Sequence, residues 1–129
     1  MKVLLDTHIF LWLNTEPERL GAQLRVIEDP GTELLLSAVS SWEIAIKYGL
    51  GRLALPEPPE RYVPKRLRDI DVRAISIEHT HALAVAALPS LHSDPFDRLL
   101  VAQAGLLDLS IMTADTAISQ YPVSTIFVD

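Results

Sequence analysis

The sequence has no cysteine among its 129 residues, carries a formal charge of −6 and lacks any long apolar run. Without cysteine there can be no disulfide framework and no thiolate site for zinc or an iron–sulfur cluster. No segment approaches the about 20 apolar residues that a bilayer span needs. The acidic balance argues against a broad basic face for nucleic acid. It does not exclude a nuclease, because a bound metal would offset the charge of acids gathered around it.

Two further features bear on function class. No Gly-x-Gly-x-x-Gly turn is present, which argues against dinucleotide binding. An acid, Asp6, follows Met1 too soon for a secretory signal, so a cytoplasmic location is expected. Hydrophobic residues make up 49% of the chain, and mean hydropathy is +0.23. Because this is rich for a small acidic protein, we expect a second subunit or a partner to cover part of the surface.

Apolar runs and helical periodicities alternate along the chain. Strands are predicted at residues 2–5, 33–37, 72–77, 109–112 and 124–128. Helices are predicted at residues 7–13, 17–28, 40–49, 61–69, 78–88 and 95–107. This alternation predicts a parallel sheet covered by helices on both faces. We therefore predict a single α/β domain over residues 1–129, an α/β/α sandwich with a central, mostly parallel sheet of about five short strands.

Four acids follow the predicted strands and lie at or near the start of predicted helices. They are Asp6, Glu43, Asp97 and Asp115. In a parallel sheet, ligands gather in the crevice beyond the carboxyl ends of the strands. Several carboxylates brought together there could not all stay ionised without a compensating cation. The pattern indicates a hard divalent metal held by oxygen ligands, and therefore phosphate chemistry.

Each acid also has a purely structural interpretation. Asp94 precedes a proline and suits a helix N-cap, Asp97 would face the helix dipole, and Asp115 could cap a short helix. Ser40-Ser41-Trp42-Glu43 has capping-box spacing, and its glutamate lies one turn before Lys47. Asp6 is the hardest to explain in this way. An unpaired charge buried directly after an apolar strand costs several kcal/mol.

The chain carries four motifs in a fixed order: Leu4-Leu5-Asp6-Thr7-His8, Ser37-Ala38-Val39-Ser40-Ser41-Trp42-Glu43-Ile44, Asp94-Pro95-Phe96-Asp97-Arg98-Leu99-Leu100-Val101-Ala102-Gln103-Ala104 and Thr113-Ala114-Asp115. In this combination it resembles the PIN-domain ribonucleases, specifically the VapC-type toxins of bacterial toxin–antitoxin pairs. The resemblance covers almost the whole chain. No single motif is decisive, and the combination is specific.

The resemblance implies Mg²⁺-dependent hydrolysis of RNA, with Mn²⁺ as a substitute, to products that carry a 5′-phosphate. It implies catalytic metal ligands drawn from Asp6, Glu43, Asp97 and Asp115. Asp6 and Asp97 are expected to ligate directly, and Asp115 directly or through water. No histidine nucleophile is required. The expected partners are an RNA substrate, a second copy of the chain, and an antitoxin whose tail places a basic side chain in the acidic groove.

Other residues have supporting roles under the same resemblance. The hydroxyls of Thr7 and Thr113 are expected to orient metal-bound water or a phosphate oxygen, although backbone capping remains open for Thr7. Asp94 is interpreted as a helix cap or as a support behind the ligands.

The residues predicted as possible RNA contacts are His8, Lys47 and Arg98, with solvated ion pairs as the alternative for the last two. The tryptophans Trp12 and Trp42 are interpreted as packing residues.

The sequence argues against three rival functions. A catalytically silent PIN-like binding module would be expected to have lost acids, and all four are retained. A haloacid-dehalogenase-like phosphatase needs a second aspartate two residues after the first, where this chain has His8. A receiver domain needs a late lysine, and none follows Lys65.

Overall fold

Five short strands form one sheet in the computed structural model, which describes residues 1–129. The strands are β1 (Lys2–Leu5), β2 (Glu33–Ser37), β3 (Val72–Ile75), β4 (Ser110–Thr113) and β5 (Thr125–Phe127). Their order across the sheet is β3-β2-β1-β4-β5, and all four pairings are parallel. The predicted α/β/α fold with a parallel five-stranded sheet is confirmed.

Seven α-helices cover the two faces of this sheet. They are α1 (Thr7–Thr15), α2 (Leu24–Glu28), α3 (Ala38–Gly49), α4 (Pro59–Asp69), α5 (His79–Ala84), α6 (Pro95–Leu107) and α7 (Thr116–Ser119). Successive side chains of a strand point to opposite faces. Val3 and Leu5 therefore pack in the core beneath α1 and α4, whereas Leu4 packs in the core beneath α6. None of the helices has the length and apolar character that crossing a membrane requires.

The strand order reverses its direction next to β1. The chain winds from β1 through β2 to β3 on one side, and then places β4 and β5 on the other. The connections that leave β1 and β4 diverge to opposite faces, since Ile9 of α1 packs in one core and Ile118 of α7 in the other. Such a reversal opens a crevice at the carboxyl ends of the two strands, where open α/β sheets bind their ligands.

Two helices predicted as continuous are interrupted. Residues 17–28 form a 3₁₀ segment, Pro17–Gln23, followed by α2. The break lies at Gly21, whose φ of 55° and ψ of −129° are not helical and suit a residue without Cβ. Residues 78–88 likewise divide into α5 and a 3₁₀ turn, Val85–Ala87. The prediction of single helices there was wrong. The spacing of apolar residues indicates which face of a segment packs against the core, but not whether its backbone stays helical throughout.

Candidate active site

Asp6 begins the site at the end of β1. It is the N-cap of α1: its Oδ1 accepts the Ile9 amide at 2.9 Å, and its Oδ2 accepts the hydroxyl of Thr113. Only 5% of the residue is exposed. Burial raises the pKa of the Asp6 carboxyl, the two hydrogen bonds and the charge of His8 lower it, and the nearby Glu43 carboxylate raises it again. The structure thus gives Asp6 donors for both oxygens but no cationic side chain in contact.

Thr113 joins the two strands at the reversal point. It is the last residue of β4, and β4 pairs with β1. Its hydroxyl donates to Asp6 and accepts the Asp115 amide at 3.0 Å. Thr113 therefore ties the first acid to the segment that carries the fourth acid.

Glu43 enters the site from α3. This helix starts at Ala38, two residues earlier than predicted, because the Ser37 hydroxyl caps it by accepting the Val39 amide at 3.2 Å. The capping-box interpretation of Ser40 was therefore wrong, and Glu43 is left free for tertiary contacts.

The Glu43 carboxylate is 4% exposed and accepts two hydrogen bonds. Its Oε1 accepts the Thr7 hydroxyl at 2.6 Å, and its Oε2 accepts the Lys47 ammonium at 2.6 Å. The ion pair expected between Glu43 and Lys47 is confirmed. Thr7 uses its hydroxyl on Glu43 and does not cap the backbone, which links the start of α1 to α3.

Asp94 and Asp97 stand at the start of α6. Asp94 is the N-cap, and its Oδ1 accepts the amides of Phe96 at 2.9 Å and Asp97 at 3.1 Å. The capping interpretation of Asp94 is confirmed. The pKa of Asp97 is raised to about 7: burial and the charges of Asp94, Asp115 and Glu43 raise it, and a hydrogen bond with His92 lowers it. A carboxyl group with these surroundings is poorly stabilised as an anion.

Asp115 is the exposed member of the group. It caps α7 by accepting the Ala117 amide through Oδ1 at 2.8 Å, as predicted, and its charge reaches Asp97. Asp97 also lies within the field of Glu43, which in turn acts on Asp6. The four predicted acids therefore share one region at the carboxyl edge of the sheet.

The acids do not form a preassembled metal cage. No three His, Cys, Asp or Glu side chains converge closely enough to hold an ion as they stand. Mg²⁺ does not require such a cage, since it keeps several waters and binds through one or two carboxylates together with substrate phosphates. The donor set, carboxylate oxygens that repel one another, two of them on the buried side chains Asp6 and Glu43, fits a hard divalent cation.

The PIN domain family model matches residues 3–123. This chain belongs to the PIN-domain family. Ribonuclease VapC22 of Mycobacterium tuberculosis is 33% identical over 103 residues, which cover 79% of this chain and 78% of that protein. Ribonuclease VapC16 of the same organism is 46% identical over 56 residues, and that match spans 43% of this chain and 40% of the relative. The resemblance to VapC-type ribonucleases is confirmed.

A solved structure shows the same PIN fold. The crystal structure of VapBC2 from Rickettsia felis, bound to a DNA fragment from their promoter, superposes with a TM-score of 0.74. The superposition covers 100% of both chains at 15% identity. At this identity the likeness supports the fold alone.

His92 is a residue of this PIN site that sequence reasoning missed. Its Nε2 lies 3.2 Å from Oδ2 of Asp97, and its Nδ1 lies 2.7 Å from the Tyr121 hydroxyl. His92 stands on an irregular segment five residues before Asp97, so no helical or strand spacing connects the two. The nearest sequence signal is its position two residues before the Asp94 cap.

The residues predicted to contact RNA lie in different surroundings. His8 is exposed and lines a cavity of about 390 Å³ together with Lys47. The Arg98 guanidinium instead donates to the Pro89 carbonyl at 2.9 Å and to the Tyr121 hydroxyl at 3.0 Å. RNA contact stays a prediction for all three.

Of the two tryptophans interpreted as packing residues, Trp12 is half-buried. Trp42 is 57% exposed and packs one edge against Phe96.

Proposed function

We propose that this PIN domain is a divalent-metal-dependent endoribonuclease and the toxin of a VapBC-type toxin–antitoxin pair, active in the cytoplasm where its RNA substrate is found. The observation that carries the proposal is the buried Asp6 carboxylate and the partly buried Asp97 carboxylate at one edge of a PIN fold, where burial raises the pKa of both. The name of VapC22, which aligns with 79% of this chain, supplies the ribonuclease class.

Asp6 and Asp97 would hold the cation directly, with Glu43 and Asp115 completing the site directly or through water. Mg²⁺ is the proposed ion and Mn²⁺ its substitute. When bound, the ion would supply Lewis-acid catalysis of in-line water attack on an RNA phosphodiester, leaving a 5′-phosphate and a 3′-hydroxyl. Thr113 orients Asp6, and Thr7 and Lys47 orient Glu43, through hydrogen bonds to their carboxylates.

Incubation of the purified protein with structured RNA tests the proposal. Cleavage should require Mg²⁺ or Mn²⁺, stop when the metal is chelated, and leave 5′-phosphate ends that a ligation assay detects. The alternative of a catalytically silent RNA- or protein-binding module predicts RNA binding without new ends. The presence of all four acids argues against this alternative. Activity that persists in excess chelator would contradict the metal-dependent mechanism.

The cavity beside Glu43 is the proposed path of the RNA. Thr7 and Lys47 line it and also bind Glu43, so the cavity adjoins the acids. Its other polar and aromatic lining residues are His8, Trp12, Glu16, Arg19 and Arg52. Arg19 lies over the Trp12 ring at 3.9 Å and pairs with Glu16. In a protein of net charge −6 this concentration of cations indicates a place for phosphate groups.

Arg52 provides the sharpest test of this RNA path, because it is exposed and forms no ion pair. We expect Arg52→Gln to weaken the binding of single-stranded RNA in chelator several-fold and to reduce the slope of log affinity against log salt by about 1. Fluorescence anisotropy of a labelled oligonucleotide measures both. Arg25→Gln, which removes the same charge from an exposed position outside the cavity that Arg52 lines, is the control. Equal affinities of the two variants would argue against this path.

The surface supports the proposed protein partners. Apolar side chains remain exposed around α3 and α6: Trp42 is 57%, Leu50 62% and Leu106 54% exposed. A second, more apolar cavity of about 590 Å³ lies between α3 and α4. We expect these areas to be covered by an antitoxin and by a second copy of the chain. Light scattering that gave only the 14.3 kDa monomer at micromolar concentrations would contradict the dimer.

A further inference from the structure

Three hydrogen bonds connect Arg98 to the Asp97 carboxylate through two other side chains. Arg98 Nη1 lies 3.0 Å from the Tyr121 hydroxyl, which lies 2.7 Å from His92 Nδ1. His92 Nε2 then lies 3.2 Å from Oδ2 of Asp97. The contacts are sheltered from water: Tyr121 is 3% exposed, and the side chains of His92 and Asp97 are 19% and 16% exposed.

The chemistry of Arg98 determines which atom donates in each of these three hydrogen bonds. A guanidinium can only donate, so the Tyr121 oxygen accepts from it and keeps its own proton for another acceptor. That acceptor is His92 Nδ1. A neutral imidazole whose Nδ1 accepts carries its proton on Nε2, so the ring donates to Asp97. If Nδ1 donated instead, the buried Tyr121 proton would have no acceptor in the structure, which is costly.

The fold holds Arg98 and Tyr121, the residues behind His92 in this hydrogen-bonded series, in place. The Arg98 guanidinium also donates to the carbonyls of Pro89 and Val85, at 2.9 Å and 3.4 Å, and so fastens the segment that carries His92. Tyr121 belongs to the core beneath α6. The imidazole is therefore held between a rigid ring and the carboxylate, and its orientation does not depend on solvent.

We propose that His92 is a positioning residue of this site, which holds Asp97 through Oδ2 and presents Oδ1 to the cation. The inference rests on the proposed function for the role of Asp97. Oδ1 accepts no protein hydrogen bond, whereas Oδ2 is held by Nε2–H. Donors behind a ligating side chain fix its orientation, and their loss reduces metal affinity by about 10- to 100-fold. Both ring nitrogens of His92 are engaged, so it supports a ligand and does not ligate.

Two substitutions at His92 separate positioning of the carboxylate from packing of the loop. The amide nitrogen of glutamine takes the place of Nε2, so His92→Gln retains a donor toward Asp97 and loses the contact with Tyr121. The amide of asparagine takes the place of Nδ1, so His92→Asn retains the tyrosine contact and loses the donor. If His92 only packed the loop, His92→Asn would be the milder change. The positioning role reverses this order.

The experiment measures the affinity for Mn²⁺ alone from the free-ion electron paramagnetic resonance signal, with thermal unfolding of each variant as a check on the fold. His92→Asn should bind Mn²⁺ about 10-fold more weakly than the unmodified protein, and His92→Gln should remain within about three-fold. His79→Gln, at an exposed position, is the control, and its affinity for Mn²⁺ should be unchanged. Equal affinities for the two His92 variants, a weaker His92→Gln, or absence of Mn²⁺ binding by the unmodified protein would overturn the inference.

The same preparations tested on RNA keep the two proposals distinguishable. If Mn²⁺ affinities follow the predicted order but no RNA is cut, the positioning role stands and the ribonuclease proposal fails. If RNA is cut and all variants bind Mn²⁺ alike, the ribonuclease proposal stands and the positioning role fails.

Discussion

Replacement of Asp97 by Asn is expected to abolish RNA cleavage and, at the same time, to stabilise the metal-free protein. The substitution keeps the shape of the side chain, and its oxygen can still accept from His92. It removes a charge that burial and three neighbouring carboxylates disfavour, as the pKa of about 7 records. Without a ligating anion the cation loses a main support. Removal of one group that stabilises the charge of the transition state typically lowers the rate by about 100-fold or more.

The gain in stability should be of the order of 1–3 kcal/mol near pH 8, where the carboxylate is ionised in the folded protein. Single-turnover cleavage of labelled RNA measures the activity, and urea unfolding in chelator measures the free energy of unfolding.

Asp94→Asn is the matched control for Asp97→Asn. It removes the same charge from the same helix end but retains an oxygen that can accept the Phe96 and Asp97 amides. We expect it to change stability by about 1 kcal/mol or less and to retain most of the cleavage. Cleavage at the unmodified rate by Asp97→Asn would remove this aspartate from the proposed mechanism. A large loss of stability in Asp97→Asn would show that the charge of Asp97 is compensated in the folded protein.

Stability should also depend on pH in an unusual direction. The pKa of Asp97 is 3.8 in an ordinary environment and about 7 in the folded protein. Between these values the folded state binds more protons than the unfolded chain, so stability falls as the pH rises and the loss is complete above about pH 7. Burial raises the pKa of Asp6 as well, which adds an effect of the same sign.

A divalent cation should reverse this loss because it binds the ionised carboxylates. At a concentration of 100 times its dissociation constant, a ligand specific for the folded state adds about 2.7 kcal/mol. Unfolding measured at about pH 5 and pH 8, with Mg²⁺ or with chelator, should show a larger effect of the metal at the higher pH. In Asp97→Asn the free energy of unfolding in chelator should fall less between these pH values. The difference from the unmodified protein isolates the contribution of the Asp97 carboxyl. A metal effect that is equal at both pH values would contradict the assignment of these acids as ligands.

Local chemistry was enough to predict several elements to within a residue or two. Strand β2 is an apolar run between turn residues, and α6 starts at Asp94-Pro95, where a capping carboxylate and a proline both favour a first turn. Local rules failed where two solutions compete. Ser37 and Ser40 can each cap a helix, and the pairing of β2 decides in favour of Ser37 because the strand ends there.

The amino-acid sequence by itself determined the alternation of strands and helices, and with it the placement of acids after strands at one edge of a parallel sheet. These features depend on neighbours within a few residues, where periodicity and capping operate. Only the tertiary structure decided which donors meet those acids. Thr113 reaches Asp6 across 107 positions of the chain because β4 pairs with β1. His92 is aimed at Asp97 because Tyr121, from a distant segment, packs beside it. Contacts of this kind follow from strand order and core packing, which no local pattern encodes.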